Sequence, residues 1–319
     1  MSELLHVSSA PHVRAKTSTS NVMLWVIIAM LPTMAFGIYN FGIRALLLVV
    51  ATVLSCVLSE TVFNLIAKKK NTIGDLSAVV TGMILALNMP STLPIWEAVL
   101  GGVFAIIVVK MLFGGLGQNF MNPALAARCF LLIAFTTDMN NFKTNEALLV
   151  SGATPLAAIR EDASVINADL LKDLFIGNTA GTIGEVSALC LLIGALILVV
   201  TKTISLRIPV AYLGTFAVFM FLLGDVKYDP TYVLAQLLGG GIIFGAFFMA
   251  TDYVTSPITR TGQIIFGICC GLLTGIFRCF GGTPEGVSYA IILSNLFVPL
   301  IEKVTVPRAF GITKKKEAK

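Results

Sequence analysis

Three short passages of this chain bring together side chains suited to chemistry. The first, Ser151-Gly152-Ala153-Thr154-Pro155-Leu156, lies in the long polar interval between two blocks of hydrophobic segments. Pro155 suits the first position of a helix, where its missing N–H has no intrahelical partner to lose. Thr154 then stands as the N-cap, and the spacing predicts one or two helical turns through Leu156-Ala157-Ala158-Ile159-Arg160-Glu161. A helix start offers free backbone N–H groups and a partial positive charge, which favour a phosphate. Ser151 and the small Gly152 and Ala153 leave the Thr154 hydroxyl open to approach. Taken alone, the same residues equally suit a plain turn.

The second passage runs from Gly114 to Ala124 and sets Asn119 and Asn122 three residues apart among glycines. Glycines admit close backbone approach, and two amides offer donors and acceptors to a heteroaromatic ring. A flexible loop ending in an Asn122 helix cap before Pro123 is the other reading. Arg128 falls a turn or more inside the next apolar segment, where a charge needs a partner or an anionic ligand. Lys110 lies near a helix end, within snorkelling reach of water, so no role is expected of it. The third passage, Met249 to Thr259, holds Asp252, Thr255, Ser256 and Pro257 at the end of an apolar segment, which suits a broken helix lining a cavity. Asp252 there binds a cation, relays a proton or caps its loop, and Asp75, after Gly74, has the same choice. Arg278, near the outer end of a later segment, faces a phosphate or marks the interface.

The elements that must position these residues are membrane helices. The chain of 319 residues is 56% hydrophobic and only 12% charged, against about 25% charged in a typical soluble domain. Its net charge of +5 therefore informs topology, and no nucleic-acid partner is expected. The six cysteines include no CxxC pair, and the two histidines, His6 and His12, lie in the polar N-terminal tail. No metal site is expected, so a redox role needs an organic cofactor or a site shared with another subunit.

A spanning helix needs about 20 mostly apolar residues. Ten segments qualify within a few residues: about 22–39, 45–66, 74–88, 95–113 and 123–137, then 186–201, 207–223, 231–249, 262–280 and 287–302. The segments at 74–88 and 123–137 are short and flanked by Gly, Pro and Asn. With both termini cytoplasmic, Lys68-Lys69-Lys70, Lys202, Arg207, Arg260 and Lys314-Lys315-Lys316 fall inside, in keeping with the cytoplasmic bias of Lys and Arg. The expected order is a cytoplasmic tail (1–21), a first membrane repeat (22–137), an extracytoplasmic loop carrying Thr154 (138–185), a second repeat (186–302) and a basic cytoplasmic tail (303–319). Phe113-Gly114-Gly115 and Phe280-Gly281-Gly282 close matching segments, and the two blocks run at an offset of about 160 residues. The fold class expected is an all-α polytopic membrane protein of about ten transmembrane helices in two five-helix repeats. An odd number of spans inverts the second copy.

In order along the chain, Ser9-Ala10-Pro11-His12, Gly74-Asp75-Leu76-Ser77 with Thr81-Gly82, Gly114 to Ala124, Ser151 to Leu156, Gly184-Glu185-Val186-Ser187, Ala250 to Thr259 and Pro284-Glu285-Gly286 resemble the NqrB/RnfD family of membrane flavoproteins. NqrB members usually carry a longer N-terminal extension, so the RnfD branch is the better match. The resemblance implies a subunit of the Rnf ferredoxin:NAD+ oxidoreductase in the bacterial inner membrane, moving electrons coupled to Na+ or H+ translocation, without a complete active site of its own. It implies FMN on Thr154 through a phosphoester, attached by a separate flavin transferase. The place six residues before the threonine, often acidic in the family's attachment signal, holds Leu148. It further suggests a non-covalent riboflavin at Asn119 and Asn122. Arg128, Asp252, Thr255, Ser256 and Arg278 complete the candidate cofactor contacts. RnfA, RnfB, RnfC, RnfE and RnfG are the implied partners. An NqrB-like subunit of a Na+-translocating NADH:quinone reductase is one rival reading, and a flavin-free channel or secondary transporter, which inverted repeats also suit, is the other.

Overall fold

The computed structural model describes residues 18–69, 72–142, 154–281 and 286–307, and every regular element among them is helical. The first block runs through α1 (Thr19–Phe41), α2 (Ile43–Ile66), α3 (Ser77–Leu87), α4 (Ile95–Val103), a π-helix continuing α4 (Phe104–Met111) and α5 (Pro123–Ala134). A short α6 (Thr136–Met139), then α7 (Pro155–Glu161) and α8 (Ala168–Ile176), occupy the polar interval. The second block comprises α9 (Ala188–Val200), α10 (Arg207–Leu223), α11 (Pro230–Leu238), α12 (Ile242–Phe244) with its π-helical continuation Gly245–Met249, α13 (Arg260–Phe280) and α14 (Val287–Thr305).

Four helices, α1, α2, α13 and α14, are long and apolar enough to cross a membrane, and the pair Pro230–Leu238 with Ile242–Met249 makes a fifth candidate bent by 67°. The remaining apolar helices are shorter: α3 has 11 residues and so covers about 16 Å of a hydrocarbon core of about 30 Å. The segment read from sequence as a continuous span at 231–249 is thus two helices meeting at an angle.

Close approach at small residues holds the blocks together, the usual solution where lipid removes the hydrophobic drive between helices. On α13, Gly267 and Gly271 face α10 so tightly that a Cβ on Gly271 would sit 2.7 Å from the Tyr212 carbonyl oxygen. In the first block, a Cβ on Gly102 would lie 2.0 Å from Ser55 Oγ. The two blocks meet where α1 packs along α9 and α5 along α14.

The bend between α11 and α12 follows from its glycines. Gly240 and Gly241 both take left-handed φ, +65° and +66°, which a side chain rarely tolerates. The break frees carbonyls, and Arg278 of α13 collects them. Its guanidinium donates to the Gln236 carbonyl and, at 3.1 Å, to the Gln236 side chain, then to Gly239 O at 3.1 Å and Gly240 O at 3.0 Å. The Phe216 ring lies under the charge, 4.9 Å from centroid to Cζ. Arg278 is thus buried against a backbone break, 4% exposed, and sits at no surface. We expect Arg278→Met to lower stability in detergent by at least about 3 kcal/mol, because charged hydrogen bonds to several buried carbonyls are lost at once. Arg278→Lys should recover only part of this, since an ammonium lacks the fork geometry. Thermal unfolding of the two variants beside the parent checks the order.

Two candidate cofactor sites

The loop after the first π-helix and the loop after the second converge on one cavity. Ser77, Lys110, Asn119, Asn122 and Asp252 are among its polar lining, with Thr81, Thr203, Thr251 and Tyr253, while Val80, Ile84, Phe247 and Phe248 are among its apolar walls. Asn122 is the pivot. Its Oδ1 accepts from Ala124 N (3.0 Å) and Leu125 N (3.4 Å), capping α5 as the Asn-Pro sequence predicts, and its Nδ2 donates to Met249 O at 3.4 Å. Asn295 of α14, with its amide oriented to match its neighbours, accepts from Asn122 N (3.3 Å) and donates to Thr255 O (3.1 Å). Asn119 donates to Met121 O at 3.1 Å.

Asp252 anchors the other loop. Thr255 Oγ1 donates to its Oδ2 at 3.1 Å, Val254 N to its Oδ1 at 3.5 Å, and Ser256 N to its backbone carbonyl at 3.1 Å. Burial pushes the Asp252 carboxyl above the usual carboxylate range, and the bonds from Thr255 and Val254 pull the other way. Asp252 borders the cavity, whereas Thr255 and Ser256 shape its loop from behind.

Lys110 corrects the expectation drawn from sequence. It does not snorkel: it is 2% exposed, and its ammonium bonds Glu60 Oε2 at 2.8 Å and Ser77 Oγ at 2.6 Å. Ser77 in turn donates to Asp75 Oδ1 at 2.5 Å, and Thr72 donates to Glu60. Asp75 therefore has a capping role at the start of α3, receiving Ser77 N at 2.9 Å as well. Glu60 escaped the sequence reading, yet one signal could have found it. A lone acid within the apolar 45–66 segment is too costly to face lipid and points to a partner.

The second site gathers at the bend between α11 and α12. Thr154 is the N-cap of α7, as the sequence predicts: its Oγ1 accepts from Ala157 N at 3.4 Å, and its carbonyl accepts from Ala158 N at 3.0 Å. Its side chain borders a pocket formed with Leu156, Thr179, Gly181, Glu185 and Gly240. Ser151, Gly152 and Ala153 lie outside the described residues. Leu156 reaches into the helix break, where a Cβ on Gly240 would fall 1.9 Å from its Cδ1, and one on Gly241 would fall 2.1 Å from Glu185 Oε1. Arg128, expected to need a partner or an anionic ligand, has its partners on this side. Its Nη1 lies 3.7 Å from Glu185 Oε1 and donates to Ser288 Oγ at 2.7 Å. One cluster thus joins α5, α14, the 181–187 turn and the bend, while Asn119, Asn122 and Asp252 form the other.

Comparison with known proteins gives the family. A model of the NQR2, RnfD, RnfE family matches residues 6–311. The chain belongs to that family. It is 51% identical over the full length of both chains to an Acetobacterium woodii protein named as the D component of the Na(+)-translocating ferredoxin:NAD(+) oxidoreductase complex. It is 38% identical, over 96% of each chain, to the corresponding component of the proton-translocating ferredoxin:NAD(+) oxidoreductase complex of Clostridium ljungdahlii. The D component of an ion-translocating oxidoreductase complex of Methanosarcina acetivorans is 37% identical over 96% of each chain.

In this family member, Glu185→Ala should remove the carboxylate that faces Arg128 and leave the buried guanidinium charge uncompensated by that partner. We expect a loss of about 3 kcal/mol or more, as for other buried pairs broken on one side. The melting temperature should fall further than with Glu185→Gln, which keeps a hydrogen-bond acceptor.

Proposed function

We propose that this chain is the flavin-bearing membrane subunit of an Rnf-type complex, passing electrons between ferredoxin and NAD+ and coupling them to Na+ or H+ movement. The observation that carries the reading is the position of Thr154: a hydroxyl capping a helix and lining a pocket, in a chain of this family. That geometry fits FMN held through a phosphoester on Thr154 and attached by a flavin transferase. When attached, FMN supplies one- and two-electron chemistry, and the protein's part is to fix its position. The Asn119–Asn122 cavity, lined by both apolar side chains and hydrogen-bonding groups, suits a flat heteroaromatic ring such as riboflavin. NAD+ and ferredoxin bind partner subunits, RnfA, RnfB, RnfC, RnfE and RnfG being the set this reading implies. The two ferredoxin-linked relatives are named for different ions, Na(+) in one and the proton in the other, and this reading covers either.

The reading includes ten spans in two inverted repeats. Support comes from contacts between positions near the repeat offset: Arg128 with Ser288, 160 residues apart, and Asn88 with Met249, 161 apart. Residues close to a pseudo-two-fold axis meet in this way. With both termini cytoplasmic, Thr154 lies on the outer side and Asn119 and Asn122 on the inner side. A direct electron hop between them would cross a core of about 30 Å, so a neighbouring subunit supplies an intermediate centre. The bend at Gly239–Gly241 also suits a flavin-free channel or transporter. Flavin fluorescence of the denatured band on a gel decides between the two readings.

Thr154→Val keeps the size and removes the nucleophilic oxygen. We expect inserted protein whose intact mass lacks one FMN, while covalent FMN in that variant would defeat the assignment. For topology, Asn167→Cys, at the exposed cap of α8, should react with an impermeant thiol reagent in intact cells lacking other reactive cysteines. Lys69→Cys should react only after lysis, and the reverse pattern would overturn the orientation.

A further inference from the structure

The Lys110 ammonium has three N–H donors, and two of them are used, on Glu60 Oε2 and Ser77 Oγ. Lys110 nevertheless borders the cavity that holds Asn119, Asn122 and Asp252. A purely structural ion pair would be satisfied by turning all of its polar atoms inward. Here Glu60, 1% exposed, receives the lysine and is tied to Thr72 as well, while Ser77 shares the cavity wall with Lys110. Glu60, which does not line the cavity, and Ser77, which does, therefore hold the nitrogen between them, and Ser77 is itself fixed by Asp75. Asp252, whose carboxyl group receives Thr255 and Val254, lines the same cavity. The lining thus offers both an N–H donor with a positive charge and an acceptor.

We propose that Lys110 is a ligand-contacting residue: its third N–H binds an acceptor atom on the ring of the non-covalent flavin and favours the ring form that carries added negative charge. This rests on the reading of the cavity as a flavin site, given above. Glu60 acts as a positioning residue that neutralises the lysine in the ligand's absence, so that burying the charge costs less. A charge placed against the ring raises its midpoint potential, because an added electron is stabilised most where water is excluded. The ligand class selected is a planar ring with acceptor atoms along one edge and a donor N–H towards Asp252.

The test uses the purified complex with Lys110→Met and Glu60→Gln together, an exchange that leaves neither buried charge alone. A lost charged hydrogen bond should weaken riboflavin binding by about ten- to a hundredfold. Riboflavin still bound should titrate at a lower midpoint than in the parent, with FMN on Thr154 unchanged by intact mass. Unaltered riboflavin affinity and midpoint in this variant would overturn the contact. No acid-extractable riboflavin in the parent complex would instead overturn the cavity reading, and the contact with it. Should the double variant not accumulate, Lys110→Arg takes its place: it keeps the charge but moves the donors. Weakened riboflavin with unchanged FMN then supports the contact, and unchanged affinity sinks it.

Discussion

Hydrocarbon offers no water to a broken helix, so a break survives only where protein atoms satisfy the freed backbone. Between α11 and α12 that task falls to Arg278, whose guanidinium meets carbonyls of Gln236, Gly239 and Gly240 from a neighbouring helix. The rest of the site depends on this clamp. It lets the chain turn by 67°, which brings Gly240 against Leu156 and Gly241 against Glu185. Glu185 then pairs with Arg128, and Arg128 with Ser288. A cation that would be a liability in lipid serves here as the cap of a helix end inside the protein.

The same bent element carries the cavity beside Asn122 at its far end. From the break, α12 continues as a π-helix to Met249, whose carbonyl receives Asn122 and whose following loop holds Asp252. The pocket beside Thr154 and the cavity beside Asn122 are therefore two ends of one stretch of chain, residues 239–252. Its register is set at one end by Arg278 and at the other by Asn122 and Asn295. Rigid placement of two groups relative to each other is what an electron carrier requires of a scaffold, and neither loop is left to position a ligand alone.

Local rules of the backbone were legible in the sequence. Pro155 after Thr154 and Pro123 after Asn122 gave both helix starts, because N-cap and first-position preferences act within three residues. The short apolar runs near 74–88 and 123–137 became helices of 11 and 12 residues. Interactions that join distant positions were not legible. Lys110 was judged by its distance to a helix end, while its fate is decided by Glu60, 50 residues away. Arg278 was read as an outer-surface charge, while its partners lie 38 to 42 residues earlier at a glycine run. That run, Gly239-Gly240-Gly241, was a visible sign of the bend, passed over because its flanks are apolar enough to span together. That Arg128 needs a partner was legible from its place inside an apolar segment, but which partner was not: Glu185 and Ser288 lie 57 and 160 residues further on.

The π-helix at Phe104–Met111 has a bearing on which lengths this segment can take. Each residue of an α-helix advances the chain by about 100° around the axis, and a π-helical turn spreads the same circle over more residues. Were this stretch to take α geometry at its present length, everything beyond it would swing onto another face: Lys110 would leave Glu60, and the 114–122 loop would leave Met249. Removing a single residue between Phe104 and Val109 would instead offset that swing, because the wide turn already holds more residues than an α-helix would use for the same angle. A deletion in α4 has no such buffer, and would turn the faces beyond it by about 100°. The π-helical stretch is therefore where this segment can best absorb a change of length.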